Sequence, residues 1–404
     1  MNERASKISS PFNMLIFNRM LCRRYCFLFL IQVTALISFT NSLAAQSIGA
    51  RDSLSGMKGW SITTTFVHGK IFKHTPKFEP AIETASNAFE LSISKQLHGQ
   101  QVWEEVHHYP FLGIAAEYND IGNDSVLGKA YWLLPFVEIP MVSGKKVSAY
   151  FRVGSGLAWL TKRFDATENP TNNVIASHLN DITQFMMEVT WKPKDQIAFS
   201  LGASFTHYST GAVRVPNLGI NTPAWRLGVR YTPKPFSRAE FLHQQLPSIP
   251  KKIFFNTQLG LGFQEASPPH GPMYQVYLLE FSVGRMIRRW DLLSVGSEVN
   301  YKEAANVFIK QEEIYPDHFF TNSLAISYFA KNDFLFGNLG IALYIGSYFY
   351  HPSPLQIAFY QKIGQYYSFH IGGEKSLKRL TAGVYITAGD FTADFVSVDL
   401  GFRF

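Results

Sequence analysis

Between residues 205 and 221 the chain reads Phe-Thr-His-Tyr-Ser-Thr-Gly-Ala-Val-Arg-Val-Pro-Asn-Leu-Gly-Ile-Asn, a segment whose residue types and spacing could do chemistry. His207 and Ser209 lie two apart, so on a β-strand they share one face. A serine hydroxyl becomes a useful nucleophile when a neighbouring imidazole takes its proton and a third group holds that ring. Asn221 has the parity to be the third group, provided the returning strand reaches it. Asn217, together with backbone amides near Thr210 and Gly211, could donate to the oxyanion formed when an ester carbonyl is attacked.

The flanking strands decide where these side chains point. Ile197, Phe199, Leu201, Ala203 and Phe205 form an apolar face that His207 and Ser209 continue. Ala198, Ser200, Gly202, Ser204 and Thr206 form the opposite, small and polar face. In the returning strand Trp225, Leu227, Val229 and Tyr231 alternate with Arg226, Gly228 and Arg230. Polar groups on an apolar face are costly and call for a reason. Two readings fit: a catalytic pair, or a His and a Ser that mark the headgroup level near a strand end. His-x-Ser alone does not separate them.

The same alternation runs through the chain, at 111–118, 149–159 and in the last strand, where Val396, Val398, Leu400, Phe402 and Phe404 share a face. About sixteen such segments can be counted, giving an all-β fold of about 14–16 strands. A soluble sandwich would also alternate. Three features favour a transmembrane, antiparallel, up-and-down barrel: aromatics near strand ends, a second face of Arg, Gln, Ser and Gly suited to a polar lumen, and a final strand ending on Phe404. Aromatics make up 15% of the chain and charged residues only 17%, which fits strands facing lipid. Closure is required because lipid offers no partner to an open sheet edge. Loops at 161–182 and 302–316 are expected outside, with short periplasmic turns at Arg288–Arg289 and Lys331–Asn332–Asp333. The connection at 233–251, holding Pro233, Pro235, Pro247 and Pro250, divides the chain. Its two sides, 46–240 and 241–404, are read as halves of one barrel, with two barrels as the less favoured arrangement.

Residues 1–45 read as an export signal. Arg23 and Arg24 precede an apolar run from Cys26 to Phe39, and Ser42, Ala44 and Ala45 prepare a cleavage near Ala45–Gln46. Its removal takes away Arg4, Lys7, Arg19, Arg23 and Arg24 against Glu3, so the net charge falls from +7 to about +3. No nucleic-acid partner is implied. Cys22 and Cys26, the chain's two cysteines, leave with the same segment, so no disulfide is expected. His178, near Asp181 in an external loop, could support the site but reads first as a solvated loop residue, and Glu104, Glu105, His107 and His108 read as a solvated periplasmic cluster. Lys162 and Arg163 suit either a solvated girdle or lipid phosphates. No metal site, phosphate-binding glycine loop or dinucleotide fingerprint is read, so no cofactor is expected.

The segment 207–221 resembles the catalytic motif of the outer-membrane lipid A 3-O-deacylases, also called acyloxyacyl hydrolases. Their His-x-Ser-Asn followed by Pro-Asn-x-Gly-x-acid would carry the base onto His207 and the nucleophile onto Ser209, and Pro216-Asn217-Leu218-Gly219 matches the later part. The longer branch of that family found in Bacteroidetes-type bacteria is matched further at 122–130, 162–165, 177–180 and 393–404. The resemblance implies a serine esterase in the bacterial outer membrane that removes an acyl chain from lipid A, the lipid of lipopolysaccharide, among the surrounding membrane lipids. Two departures stand out. Asn221 occupies the place of a family Glu, an arrangement resembling that of outer-membrane phospholipase A, and Thr210 replaces the Asn after the nucleophile. Alternative readings are therefore a phospholipase A, for which calcium and a homodimer would be in keeping, and a porin-like or inactive barrel.

Overall fold

The computed structural model describes residues 55–266, 268–372, 377–389 and 392–404. The expected export signal at 1–45 lies outside the described residues. The first eight strands are β1 (Trp60–Gly69), β2 (Ser86–Gln96), β3 (Phe111–Asp120), β4 (Lys129–Ser143), β5 (Val147–Leu160), β6 (Leu179–Lys194), β7 (Ile197–Ser209) and β8 (Ile220–Tyr231). The next eight are β9 (Ile253–Glu265), β10 (Met273–Arg288), β11 (Asp291–Lys302), β12 (Leu324–Phe336), β13 (Leu339–Tyr350), β14 (Phe359–His370), β15 (Arg379–Gly389) and β16 (Thr392–Arg403). Two short helices interrupt them, α1 (Val102–Val106) and α2 (Glu303–Gln311). Among the described residues no helix is long and apolar enough to cross a membrane; the strands are the crossing elements.

Every neighbouring pair is antiparallel, and the strands close as two eight-stranded barrels, β1–β8 and β9–β16. The count of sixteen holds, while the expected single barrel gives way to the two-barrel arrangement. The reason lies in the closing ladders. β1 pairs with β8 from Ile62↔Tyr231 to Gly69↔Ala224, and β16 pairs with β9 from Val396↔Phe263 to Arg403↔Asn256. Each half thus satisfies its own edges before and after the proline-rich connection.

Outward side chains are apolar and exposed, among them Phe66, Leu91, Leu201 and Leu227 on the first barrel and Leu259, Phe281, Val295 and Ile345 on the second. Trp159, Trp225, Tyr118 and Tyr131 stand toward one end of the first barrel's outer face, and Trp191 and Tyr231 toward the other, as two membrane interfaces require. The lumens are filled. In the first, Glu90 accepts two hydrogen bonds from Arg152 at 2.8 and 3.1 Å and another from Arg226, while Arg230 joins Glu138 at 2.6 Å and Glu188 at 3.1 Å. In the second, Lys362 lies 2.8 Å from Glu298 and 3.4 Å from Asp399. Charges so buried persist because they are paired and hydrogen-bonded.

Lys331–Asn332–Asp333 is not a turn. These residues lie within β12, and Lys331 and Asp333 point inward, where Lys331 meets Glu280 at 3.6 Å and Asp333 at 3.8 Å. Turn-like composition here reflects lumen charge. The expected solvated cluster divides: His108 is exposed and Glu105 only half-buried, but buried Glu104 accepts from the Gly99 and Gln100 amides, and His107 bonds the Leu335 carbonyl at 2.8 Å and stacks on Phe336. His107 thereby ties the first barrel to the β12–β13 turn of the second, and its burial holds the imidazole below its ordinary pKa.

The barrels also meet at the opposite end, where the long connections lie. Outward residues of β5 such as Phe151, Val153 and Leu157 are only half-buried, unlike the exposed row on β7, and Ile363, Val384 and Ile386 of the second barrel are likewise half-buried. Gln365 donates to Ser155 Oγ at 3.3 Å across this seam, and Phe164 approaches the His270 ring.

Candidate active site

β7 and β8 place the expected residues as the alternation predicts. Phe199, Leu201, Ala203 and Phe205 are exposed on the outer face, and His207 and Ser209 follow on that side while Tyr208 is buried toward the interior. β8 extends far enough to bring in its first residues: His207 pairs directly with Asn221. Their side chains meet, with His207 Nδ1 2.6 Å from Asn221 Oδ1. An amide oxygen only accepts, so Nδ1 carries the proton and Nε2 keeps its lone pair. That is the tautomer a general base needs.

Asn221 is itself held. Its Nδ2 lies 3.1 Å from Nδ1 of His74, a residue of the β1–β2 connection that the sequence did not single out. The amide therefore spans two imidazoles.

Ser209 is 3% exposed although its side chain lies on the outward face of β7. Its Oγ accepts from the Gly211 amide at 2.9 Å and from Asn217 Nδ2 at 2.9 Å. The Asn217 side chain is oriented by its other end, because Oδ1 accepts from the Thr210 amide at 2.9 Å. Of the three residues expected to supply oxyanion donors, Gly211 and Asn217 thus aim N–H groups at the hydroxyl, and Thr210 positions Asn217. The Thr210 hydroxyl instead donates to the Arg214 carbonyl at 2.7 Å. Among the described residues Ser209 forms no hydrogen bond with His207. Such bonds commonly tighten only with substrate present.

The floor beneath the site is apolar. Ile121, Leu127, Leu134, Leu160, Val174, Ile175, Ile182, Tyr208 and Ile220 pack together under the long loops. The loop after β5 folds over this plug and pins the site, since the Gly219 amide donates to the Val174 carbonyl at 3.0 Å. His178 serves the same loop: Nδ1 bonds the Leu160 carbonyl at 2.7 Å and the ring stacks on Trp159. Asp181, the ladder partner of Ser209, lies on the same outer face and accepts from Ser155 and Thr183 hydroxyls at 3.3 Å each. Which strand residue stands opposite Ser209 depends on inter-strand register, which no local motif carries.

Gly219 explains itself sterically. Its φ is +74°, and a Cβ there would lie 2.7 Å from His207 Cε1 and 3.0 Å from the Tyr208 carbonyl. Gly219→Ala is therefore expected to lower kcat about 100-fold by displacing the imidazole. Steady-state kinetics on folded protein checks this, and an unchanged kcat would remove the ring from the site.

An all-β protein with an apolar outer belt, two packed lumens and a histidine, an asparagine and a serine gathered on its lipid-facing side is an outer-membrane barrel carrying the parts of an ester hydrolase. Comparison with known families agrees. Residues 87–230 match "Lipid A 3-O-deacylase (PagL)", and residues 253–404 match "Acyloxyacyl hydrolase, C-terminal domain". The two matches together span well over half of the chain, which belongs to the PagL lipid A 3-O-deacylase family and is an ester hydrolase of the bacterial outer membrane.

Solved structures give distant likenesses. The outer membrane enzyme PagL is 15% identical, covering 43% of this chain and 99% of its own, with a TM-score of 0.30. Neisserial surface protein A is 11% identical, covering 43% of this chain and 97% of its own, with a TM-score of 0.29. The beta domain of the Bordetella autotransporter BrkA is 10% identical and covers 86% of this chain and 98% of its own, with a TM-score of 0.24. Likenesses this remote say nothing of activity. No curated protein matches the chain.

Proposed function

We propose that this protein hydrolyses an ester-linked acyl chain of lipid A in the outer leaflet, with Ser209 as nucleophile, His207 as general base and then acid, and Asn221 orienting His207. The observation that carries this reading is the 2.6 Å His207–Asn221 bond beside a serine that already receives two N–H donors. Ser209 Oγ attacks the ester carbonyl and gives its proton to His207 Nε2. The Gly211 amide and Asn217 Nδ2 shift their hydrogen bonds to the new oxyanion. His207 protonates the departing sugar oxygen, and water, deprotonated in turn by His207, releases the fatty acid from the acyl-serine.

An outward-facing site of this kind takes a substrate already in the bilayer. The acyl chain lies over β8 and β1, where Trp225, Leu227 and Phe66 remain exposed. Lys162 and Arg163, both exposed on the loop after β5, stand where lipid phosphates would lie. A homodimer is not needed to cover Ser209, because the chain's own second barrel lies against the same loop.

The test is mass spectrometry of lipid A from cells making the protein, beside cells making none. Loss of the mass of one acyl chain is expected only with the protein. Unchanged lipid A alongside released phospholipid fatty acids would replace this reading with the phospholipase one.

A further inference from the structure

The loop that carries Gly211 and Asn217 is held from outside its own barrel. Glu265 closes β9 of the second barrel, and its side chain is fully buried. One carboxylate oxygen accepts from Arg214 at 2.9 Å and the other from the Val215 amide at 2.7 Å. The Glu265 backbone amide donates to the Ala212 carbonyl at 2.9 Å. A Cβ on Gly211 would run into Val396 of β16, so that side chain stands directly behind the Gly211 peptide. Four contacts from two strands of the second barrel thus converge on residues 211–215, within six residues of Ser209.

The seam below has the same character. Ser155, Asp181, Thr183 and Ser209 all lie on the outer face of the first barrel, where lipid would leave polar groups unsatisfied. Gln365 of the second barrel meets this stripe at Ser155. A polar stripe on a membrane-facing wall is tolerable when protein covers it.

We infer that the second barrel is a component of the active site, with Glu265 a positioning residue that sets the 210–219 loop so that the Gly211 and Asn217 donors stay aimed at Ser209 Oγ. This rests on the proposed role of Ser209 and gives residues 253–404 a part in the chemistry, since they fix the oxyanion side of the site and cover one flank of the nucleophile.

The experiment compares the full chain with Glu265→Ala and Glu265→Gln, each also combined with Ser209→Cys. The Gln amide oxygen keeps an acceptor for the Val215 amide but gives up the charge facing Arg214. Heat-dependent gel migration shows that each barrel is folded. Maleimide labelling of the thiol introduced by Ser209→Cys, located by peptide mass spectrometry, reads cover without relying on catalysis. Labelling is expected to speed up about tenfold or more with Glu265→Ala, as the loop opens locally, and less with Glu265→Gln. In the Ser209 background Glu265→Ala is expected to lower kcat about 10- to 100-fold with KM nearly unchanged, and Glu265→Gln to recover part of that loss. Unchanged labelling would overturn the inference whatever the enzyme acts on. Faster labelling with an unchanged kcat would overturn the link to catalysis. If wild-type protein deacylates nothing, the proposed activity fails, while labelling still decides whether Glu265 holds the loop.

Discussion

Ser209→Ala and His207→Ala should each lower lipid A deacylation by about 10⁴-fold, and the double variant should be no slower than either single one. In the proposed mechanism nucleophile and base act as a unit, so once either is gone the other has nothing to do. What survives is the contribution of binding and of the two donors, the Gly211 amide and Asn217 Nδ2. Ser209→Ala also leaves both donors without their acceptor in a site that is 3% exposed. A stability loss of about 1–3 kcal/mol is expected alongside the activity loss. Kinetics should therefore be taken on protein shown to be folded. Full activity in folded Ser209→Ala would assign the nucleophile elsewhere, and additive losses in the double variant would mean the two residues do not work on one proton.

Much of this site was legible because a strand has a period of two. The apolar row ending at Phe205 fixes the direction of His207 and Ser209, and the row from Tyr231 back to Trp225 does the same for Asn221. Residues that reach the site from elsewhere carry no such signal. His74 belongs to an irregular connection, so nothing in its neighbours says which way it points. Asp181 becomes the partner of Ser209 only through the β6–β7 register. Glu265 closes a strand of another barrel, and its meeting with Arg214 depends on how two barrels pack side by side.

The fold divides in the same way. Strand number follows from local alternation and was countable, but closure depends on pairs such as Phe66↔Leu227 and Leu259↔Leu400, far apart in the chain. The proline-rich connection marked the division without saying what it divided. Charged residues misled where they stood in for turn residues. Lys331 and Asp333 suit a loop in isolation, yet in β12 they alternate inward toward Glu280. Charge in a barrel strand reports a lumen partner, and that partner is another strand's property.

Substitutions at Asn221 should move the rate in opposite directions. Asn221→Leu removes the acceptor for His207 Nδ1–H and frees the ring to rotate or to adopt the wrong tautomer, so kcat should fall about 10³- to 10⁴-fold. Asn221→Asp should do the reverse. In the present arrangement the amide can satisfy His207 in two ways, offering oxygen or nitrogen, and only the first leaves Nε2 unprotonated. His74 helps select it by lying 3.1 Å from Asn221 Nδ2, where its Nδ1 can accept. A carboxylate of the same shape has no donor end, so His207 Nδ1 must carry the proton. It also places a negative charge beside the imidazolium that the proposed mechanism forms as Ser209 is deprotonated. Charge-assisted hydrogen bonds are roughly twice as strong as neutral ones, and a gain of about tenfold in kcat is expected. His74→Ala should be slower in the wild type, yet nearly neutral in the Asn221→Asp background, where no amide remains to be oriented. Pre-steady-state acylation rates for the wild type and these four variants would check this. Equal losses from Asn221→Leu and Asn221→Asp would mean that Asn221 serves packing alone, and that the base is set by some other contact.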